Sequence, residues 1–285
     1  MKPKTPVKTM RMFFLALIPT ICLMAEHIDP AKLAVNHRDA NRRPYPGGAS
    51  RLFITITAFF VPFIFACARS AQAAGVVSQC DEPHFKQAAS GGGTVTFTCS
   101  GTITVLGGTV DISLPTTIDG SGHKVTISGG GAVRVFYVVG SVLTLNNLTV
   151  ANGNANNPAS SGSYLDGGGV FVAKEGFLTV MNCTFSGNQA QNSGGAISFN
   201  SFSSLTITNS TFSGNYSFGH GGAIYGSGGS LIVNSSTFSG NMSYVQGGAI
   251  YNLSRAHVVA STFYDNRALT GGGAIENKWD LSLVN

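Results

Sequence analysis

NSTFSGNYSFGHGGAIYG, residues 209–226, decides how the chain folds. Taken alone, the Gly-His-Gly around His220 resembles a catalytic loop. Its surroundings recur, however. TFSGN stands at 184–188, 211–215 and 237–241, with TFYDN at 262–266. GGAI stands at 194–197, 221–224, 247–250 and 272–275, with GGGV at 167–170. Before each Phe comes a third element: LTVMNCTF (178–185), LTITNSTF (205–212), LIVNSSTF (231–238) and AHVVASTF (256–263), with a diverged LTLNNLTV at 143–150. Self-similarity at a fixed period is the mark of a solenoid and is settled before any single motif is read.

The internal spacings say which parts of the unit are rigid. The first apolar residue precedes Phe by 7 residues, and Phe precedes the first Gly of GGAI by 9, in all four clear copies. Only the link from Ile to the next copy varies, giving units of 27, 26, 25 and 25 residues. The unit is rich in Thr, Ser, Val, Ile, Phe and Gly, which reads as short strands bounded by turns. Leu205 and Ile207 alternate with Thr and share a face. Asn209 suits the bend that returns Ser210 and Phe212 to that face, because Asn tolerates the left-handed conformation. About three strands and three corners per unit are expected. One unit cannot bury its face alone, so units stack about 4.8 Å apart.

The expected architecture is all-β: a single-stranded parallel β-helix of about eight coils with a short N-terminal cap. Its inward columns are Leu178/Leu205/Leu231, Val180/Ile207/Val233/Val258, Phe185/Phe212/Phe238/Phe263 and Ile197/Ile224/Ile250/Ile275. Asn188, Asn215, Asn241 and Asn266 form a corner ladder. GGAI alternating with F-x-x-N resembles the repeat of the chlamydial polymorphic outer membrane proteins. That repeat is shared by many bacterial β-helix proteins of the pectin-lyase-like superfamily. The resemblance covers 140–285 by motif and extends loosely to about residue 80. It implies a right-handed helix and a cell-surface or outer-membrane setting, while function rests on the site rather than the fold.

Charge separates the two ends. Residues 1–74 carry ten Lys/Arg and three Asp/Glu; the remainder carries seven and nine. The formal +5 therefore belongs to a basic leader and does not indicate a nucleic-acid partner. The leader, 1–73, reads as a targeting region. Its second apolar run, LFITITAFFVPFIFACA (52–68), is followed by Ala71-x-Ala73, a signal-peptidase pattern placing the mature start near Ala74. The true start of translation is expected near residue 50, with an unusually long signal or a lipid on Cys67 as the alternatives. Residues 74–100 read as the cap, stapled by a Cys80–Cys99 disulfide that suits an exported protein. Residues 101–285 read as the solenoid. LSLVN (281–285) aligns with LTITN (205–209), so the repeat is expected to continue past Asn285.

No catalytic, metal-binding or cofactor-binding residue is assigned. His220 occupies the slot filled by Ser193, Gln246 and Gly271 in other copies, so it reads as a repeat position. Cys183 falls in the column of Ser210, Ser236 and Ser261 and reads as a buried, inert thiol. Asp119 and Asp265 read as turn residues. Asp265 and Glu276 are the one pair of carboxylates in a single coil, on different corners, and with Arg255 and Arg267 nearby they make a small charged cluster near 255–280 conceivable. The other departure is an 8-residue excess in NGNANNPASSGSYLD (152–166); such insertions map to one side of a solenoid, often the binding side. Tyr164 and Asp166 are its residues with recognition chemistry. The sequence favours an exported, non-catalytic adhesin or scaffold whose partner is a host-cell or polysaccharide surface ligand. It would meet a membrane only through the leader or a downstream anchor. The alternative is a polysaccharide lyase or epimerase of the same superfamily.

Overall fold

The computed structural model describes residues 75–156, 165–173 and 175–285. The expected signal region and cleavage site, and Tyr164, lie outside them. All pairings between the named strands are parallel, as a β-helix requires. Nine strands form the first sheet, seven the second, four the third and seven the fourth. The first includes Phe177–Met181, Ser204–Thr208, Ser230–Asn234 and Arg255–Val259. The second includes Thr184–Ser186, Thr211–Ser213, Thr237–Ser239 and Thr262–Tyr264. The fourth includes Phe136–Val138, Val170–Val172, Ile197–Phe199, Ile224–Gly226, Ile250–Asn252 and Ile275–Asn277. The solenoid makes about seven right-handed turns, close to the eight expected.

The register is the one set by the repeat. Leu205 pairs with Leu231, Phe212 with Phe238 and Ile224 with Ile250. Leu205, Ile207, Phe212 and Ile224 are all buried. Phe185, Phe212, Phe238 and Phe263 stack with centroids 4.9, 4.8 and 4.8 Å apart and planes within 7°. Corners take the backbone shape that the sequence suggested. Asn182 and Asn209 have φ of 52° and 49°, and Ser235 and Ala260 adopt the same left-handed turn in later coils. Gly221 has φ of 65°, and a Cβ on Gly222 would collide with the Gly248 carbonyl oxygen of the next coil.

Two ladders run inside. In one, Ser210 Oγ donates to Thr208 O and accepts from the Cys183 amide, while the Ser210 amide donates to Ser236 Oγ. Cys183 holds the matching place, its Sγ 3.1 Å from Met181 O. Burial pushes that thiol up to about 11, consistent with an inert group. In the other, Asn188, Asn215, Asn241 and Asn266 bond in series through side chain and backbone.

The unit differs from expectation in having four strands. The extra one is two residues long: Gln189–Ala190, Tyr216–Ser217, Met242–Ser243 and Arg267–Ala268. It follows the Asn ladder, which aligns successive coils closely enough for backbone pairing, and is too short to show a period-2 pattern.

At the N-terminal end, Gly75–Val77 and Gly93–Phe97 already belong to the nine-stranded sheet, so cap and first coil overlap within 74–100. Between them lies the helix Glu82–Ser90, capped by Asp81, whose side chain accepts from the His84 amide at 3.0 Å. Phe85 and Ala89 face inward, and Phe85 lies 6.2 Å from Phe97 and from Phe136. Cys80 and Cys99 are joined by a disulfide closing a separation of 19 residues. Cutting it by reduction or by Cys99→Ser should cost about 3 kcal/mol, the loop-closure entropy regained by the unfolded chain. A thermal melt with and without reductant checks this; superimposable melts would contradict it.

Candidate functional site

The outer faces of the solenoid are not alike. In the first sheet, the outward positions include Thr144, Thr179, Thr206, Ile232 and His257. In the second they are Thr184, Thr211, Thr237 and Thr262 before each Phe, and Ser186, Ser213, Ser239 and the exposed Tyr264 after it. The fourth sheet is different. Its inward residues Ile197 and Phe199 bracket Ser198, so the residue after each GGAI-type Ile lies on the outer side of the sheet, where Tyr137 and Tyr225 are partly exposed while Phe171, Ser198 and Tyr251 are themselves buried. In register this outward column reads Asp111, Tyr137, Phe171, Ser198, Tyr225, Tyr251, Glu276.

The rings in this column are ordered by the backbone beneath them. Tyr137 and Phe171 stack at 5.6 Å and Tyr225 and Tyr251 at 5.8 Å, each pair within 7° of parallel. Ser198 interrupts the run, so a small side chain sits between two rings. It is 1% exposed, and among the described residues its Oγ has no hydrogen-bond partner.

A second column runs beside the first. The residue before each GG pair is Asp166, then Ser193, His220 and Gln246 in successive coils, as the bonds Gly167 N to Ser193 O, Gly194 N to His220 O and Gly221 N to Gln246 O show. Asp166 Oδ1 accepts from the Ser193 amide at 3.0 Å, and Ser193 Oγ accepts from the His220 amide at 3.2 Å. The His220 ring lies 4.3 Å from Tyr251 and 6.4 Å from Tyr225, half-buried between the two columns. Its Nδ1 also has no partner among the described residues. Burial, and then the Lys278 charge, hold the imidazole below its ordinary pKa, so it is neutral at pH 7.

Arg134 closes one end. It is fully buried and donates from Nε and Nη2 to the backbone oxygens of Asp166 and Gly167. Its guanidinium lies 5.2 Å from Phe171 and 5.9 Å from Tyr137. Burial brings its pKa down to about 10, against the pull of Asp166, and the side chain stays charged at neutral pH. Burial in turn raises the Asp166 carboxyl, opposed by the Ser193 amide, Asn192 and Arg134. Tyr225 is raised by burial and then by the Asp166 charge. Arg134 thus anchors the C-terminal end of the insertion. At the other end, Lys278 Nζ pairs with Glu276 at 2.7 Å and lies 5.8 Å from the Tyr251 ring.

Of the two residues singled out in the insertion, Asp166 joins this face, in the same slot as His220; Tyr164 lies outside the described residues. The residues of the expected charged cluster take separate partners: Arg255 approaches Asp280 at 3.6 Å and Glu276 holds Lys278 and the Gly272 amide. Asp265 occupies a left-handed corner, φ 53°. Asp119 Oδ1 accepts from the Ser121 amide and hydroxyl, a local turn. Among the described residues, no group of three His, Cys, Asp or Glu side chains could hold a metal ion. The aromatic column escaped the sequence reading. Its signal was present, since the residue after GGGV or GGAI reads Phe, Ser, Tyr, Tyr, Glu in order.

A family model described as "Right handed beta helix region" matches residues 93–268. A model of the Chlamydia polymorphic membrane protein repeat matches residues 260–278. No curated protein matches the chain. The two matches point to a repeat protein of a surface or outer-membrane type.

Proposed function

The chain belongs to the right-handed β-helix family, and from that premise we propose that it is an exported, surface-displayed binding scaffold whose contact surface is the outer face of the fourth sheet. The observation that supports this reading is the pair of columns on that face. Tyr137 and Tyr225 are partly exposed on it, with Phe171 and Tyr251 buried beside them, and aromatic rings held by a rigid sheet offer contact area at small entropic cost without ordering a loop. The Thr-rich faces of the first and second sheets lack that feature.

An enzymatic reading would use Asp166 and His220, the two titratable groups of the slot column. Asp166 is engaged by the Ser193 amide and stands two coils from His220, which favours recognition over acid–base work. Antibody labelling of intact cells of the source organism tests the surface role. Label without permeabilisation is expected; label only after permeabilisation would reject display.

A further inference from the structure

The third sheet carries an apolar face that belongs to neither the core nor the two columns of the fourth sheet. Its inward residues Ala190, Ser217 and Ser243 are fully buried, so the residues on either side of them lie on the outer side. In register the file before them reads Gln189, Tyr216, Met242, Arg267. The file after them carries Phe218, Tyr244 and Leu269, which are 44%, 56% and 46% exposed. Tyr216 and Phe218 meet edge to face at 4.8 Å, so the two files form one patch. No charge interrupts it before its last coil, since no Asp, Glu, Lys or Arg stands between Glu175 and Arg255. Arg267 closes the patch. It is exposed and forms no ion pair among the described residues, Asp265 at the adjoining corner included.

Size and charge select the occupant. A whole aromatic side chain offers roughly 150–250 Å², so Phe218 and Tyr244 each leave about 100 Å² uncovered. The patch as a whole is then about 300–400 Å², half of the ~800 Å² per partner that a stable protein pair buries. A second copy of this chain would gain too little there, and the uncharged coils offer no ion pairs to fix its orientation. A lipid bilayer needs no complementary surface of that size. Aromatic side chains are favoured at the boundary between headgroups and acyl chains, and a guanidinium at the rim bonds phosphate well. We propose that this face seats on an anionic bilayer surface, with Phe218, Tyr244 and Leu269 entering the headgroup region and Arg267 meeting a lipid phosphate. The sheet holds these side chains on one rigid face, so no loop is ordered on insertion. The coils of Phe218 and Tyr244 carry no carboxylate, which removes the repulsion that an anionic surface would otherwise meet. This role is separate from that of the fourth sheet and does not depend on it.

Fluorescence quenching by lipid tests the proposal. In the full chain, Trp279→Phe removes the single native Trp, and Phe218→Trp, Tyr244→Trp or Phe202→Trp then places one reporter. Phe202 is 72% exposed on the turn between the fourth and first sheets and is the control outside the patch. The probe is a vesicle of phosphatidylethanolamine and phosphatidylglycerol containing lipid brominated in its acyl chains. The Phe218→Trp and Tyr244→Trp reporters are expected to be quenched and blue-shifted, and the Phe202→Trp reporter to change little. The apolar runs of the leader are common to all these chains, so a difference between reporters belongs to their positions. Adding Arg267→Gln to the Phe218→Trp chain should raise the lipid needed for half-quenching about fivefold on these vesicles and leave it unchanged on phosphatidylcholine vesicles. Unfolding transitions identify a variant that fails to fold, and either patch reporter suffices without the other. No quenching at a patch position in a folded chain, equal quenching of Phe202→Trp, or indifference to Arg267→Gln on the anionic vesicles would each overturn the proposal. A blue shift of Phe218→Trp that grows with protein concentration in the absence of vesicles would also overturn it, by identifying a second copy as the occupant.

Discussion

Phe212→Ala is expected to destabilise the chain by about 3–5 kcal/mol, and Phe212→Asp to leave no stable solenoid around residues 185–263. Phe212 is fully buried, with Phe185 at 4.9 Å on one side and Phe238 at 4.8 Å on the other. Alanine removes the ring and its contacts with both neighbours. The coils cannot close the gap, because their separation is fixed by the backbone pairing of Phe212 with Phe185 and Phe238. Aspartate adds a charge with no cation in an apolar column, which costs more than the cavity. Solenoid coils are stabilised chiefly by their neighbours, so a failed coil weakens those on both sides. Urea unfolding followed by far-ultraviolet circular dichroism reads the effect. A Phe212→Asp chain with an unchanged midpoint would mean that these rings are not the core.

Asn215→Asp is expected to be the most damaging near-isosteric change. Asn215 is fully buried. Its Oδ1 accepts from the Asn188 amide and side chain at 3.1 and 3.0 Å, and its Nδ2 donates to Phe185 O and Asn241 Oδ1 at 3.0 and 2.9 Å. Aspartate keeps the acceptor and loses the donor, so its second oxygen faces two acceptors. The loss at pH 7 should be about 3–5 kcal/mol, as for an uncompensated buried charge. Its carboxyl, buried and facing oxygens, would titrate above the ordinary 3.9 in the folded chain. The folded variant therefore holds a proton that the unfolded chain releases. Its stability is greatest below the ordinary value and falls as pH rises through the folded one. Urea midpoints of variant and parent at pH 7 and pH 4 measure this. The gap should narrow at pH 4, and a gap equal at both pH values would refute the donor argument. Asn215→Ala, which strands the Asn188 amide without adding charge, should cost about 1–3 kcal/mol at either pH.

Both predictions concern columns legible in the linear chain, and the reason is local. A coil of 25–27 residues repeats its own pattern, and stacking in register follows from equal spacing, so Phe185 could be placed under Phe212 without knowledge of anything else. The left-handed turn at Asn209 was legible for the same reason, since it is a property of one residue in one corner. Cys183 could be assigned to the Ser210 column by counting.

What the sequence alone did not reveal arises between coils. The two-residue strand Tyr216–Ser217 exists only because the Asn ladder aligns it with Met242–Ser243. Arg134 lies before the clear repeats, and its burial against Phe171 and the carbonyls of Asp166 and Gly167 depends on how an irregular stretch folds back on the fourth sheet. The fold class, the core and the corners were thus determined by the sequence by itself, because they rest on short-range periodicity and single-residue backbone preferences. The face carrying Ser198, His220, Tyr225 and Tyr251 was decided by the tertiary structure, because its residues lie up to 53 positions apart and, although each stands beside a GGAI, their chemistry changes from coil to coil. Only parallel stacking sets them side by side.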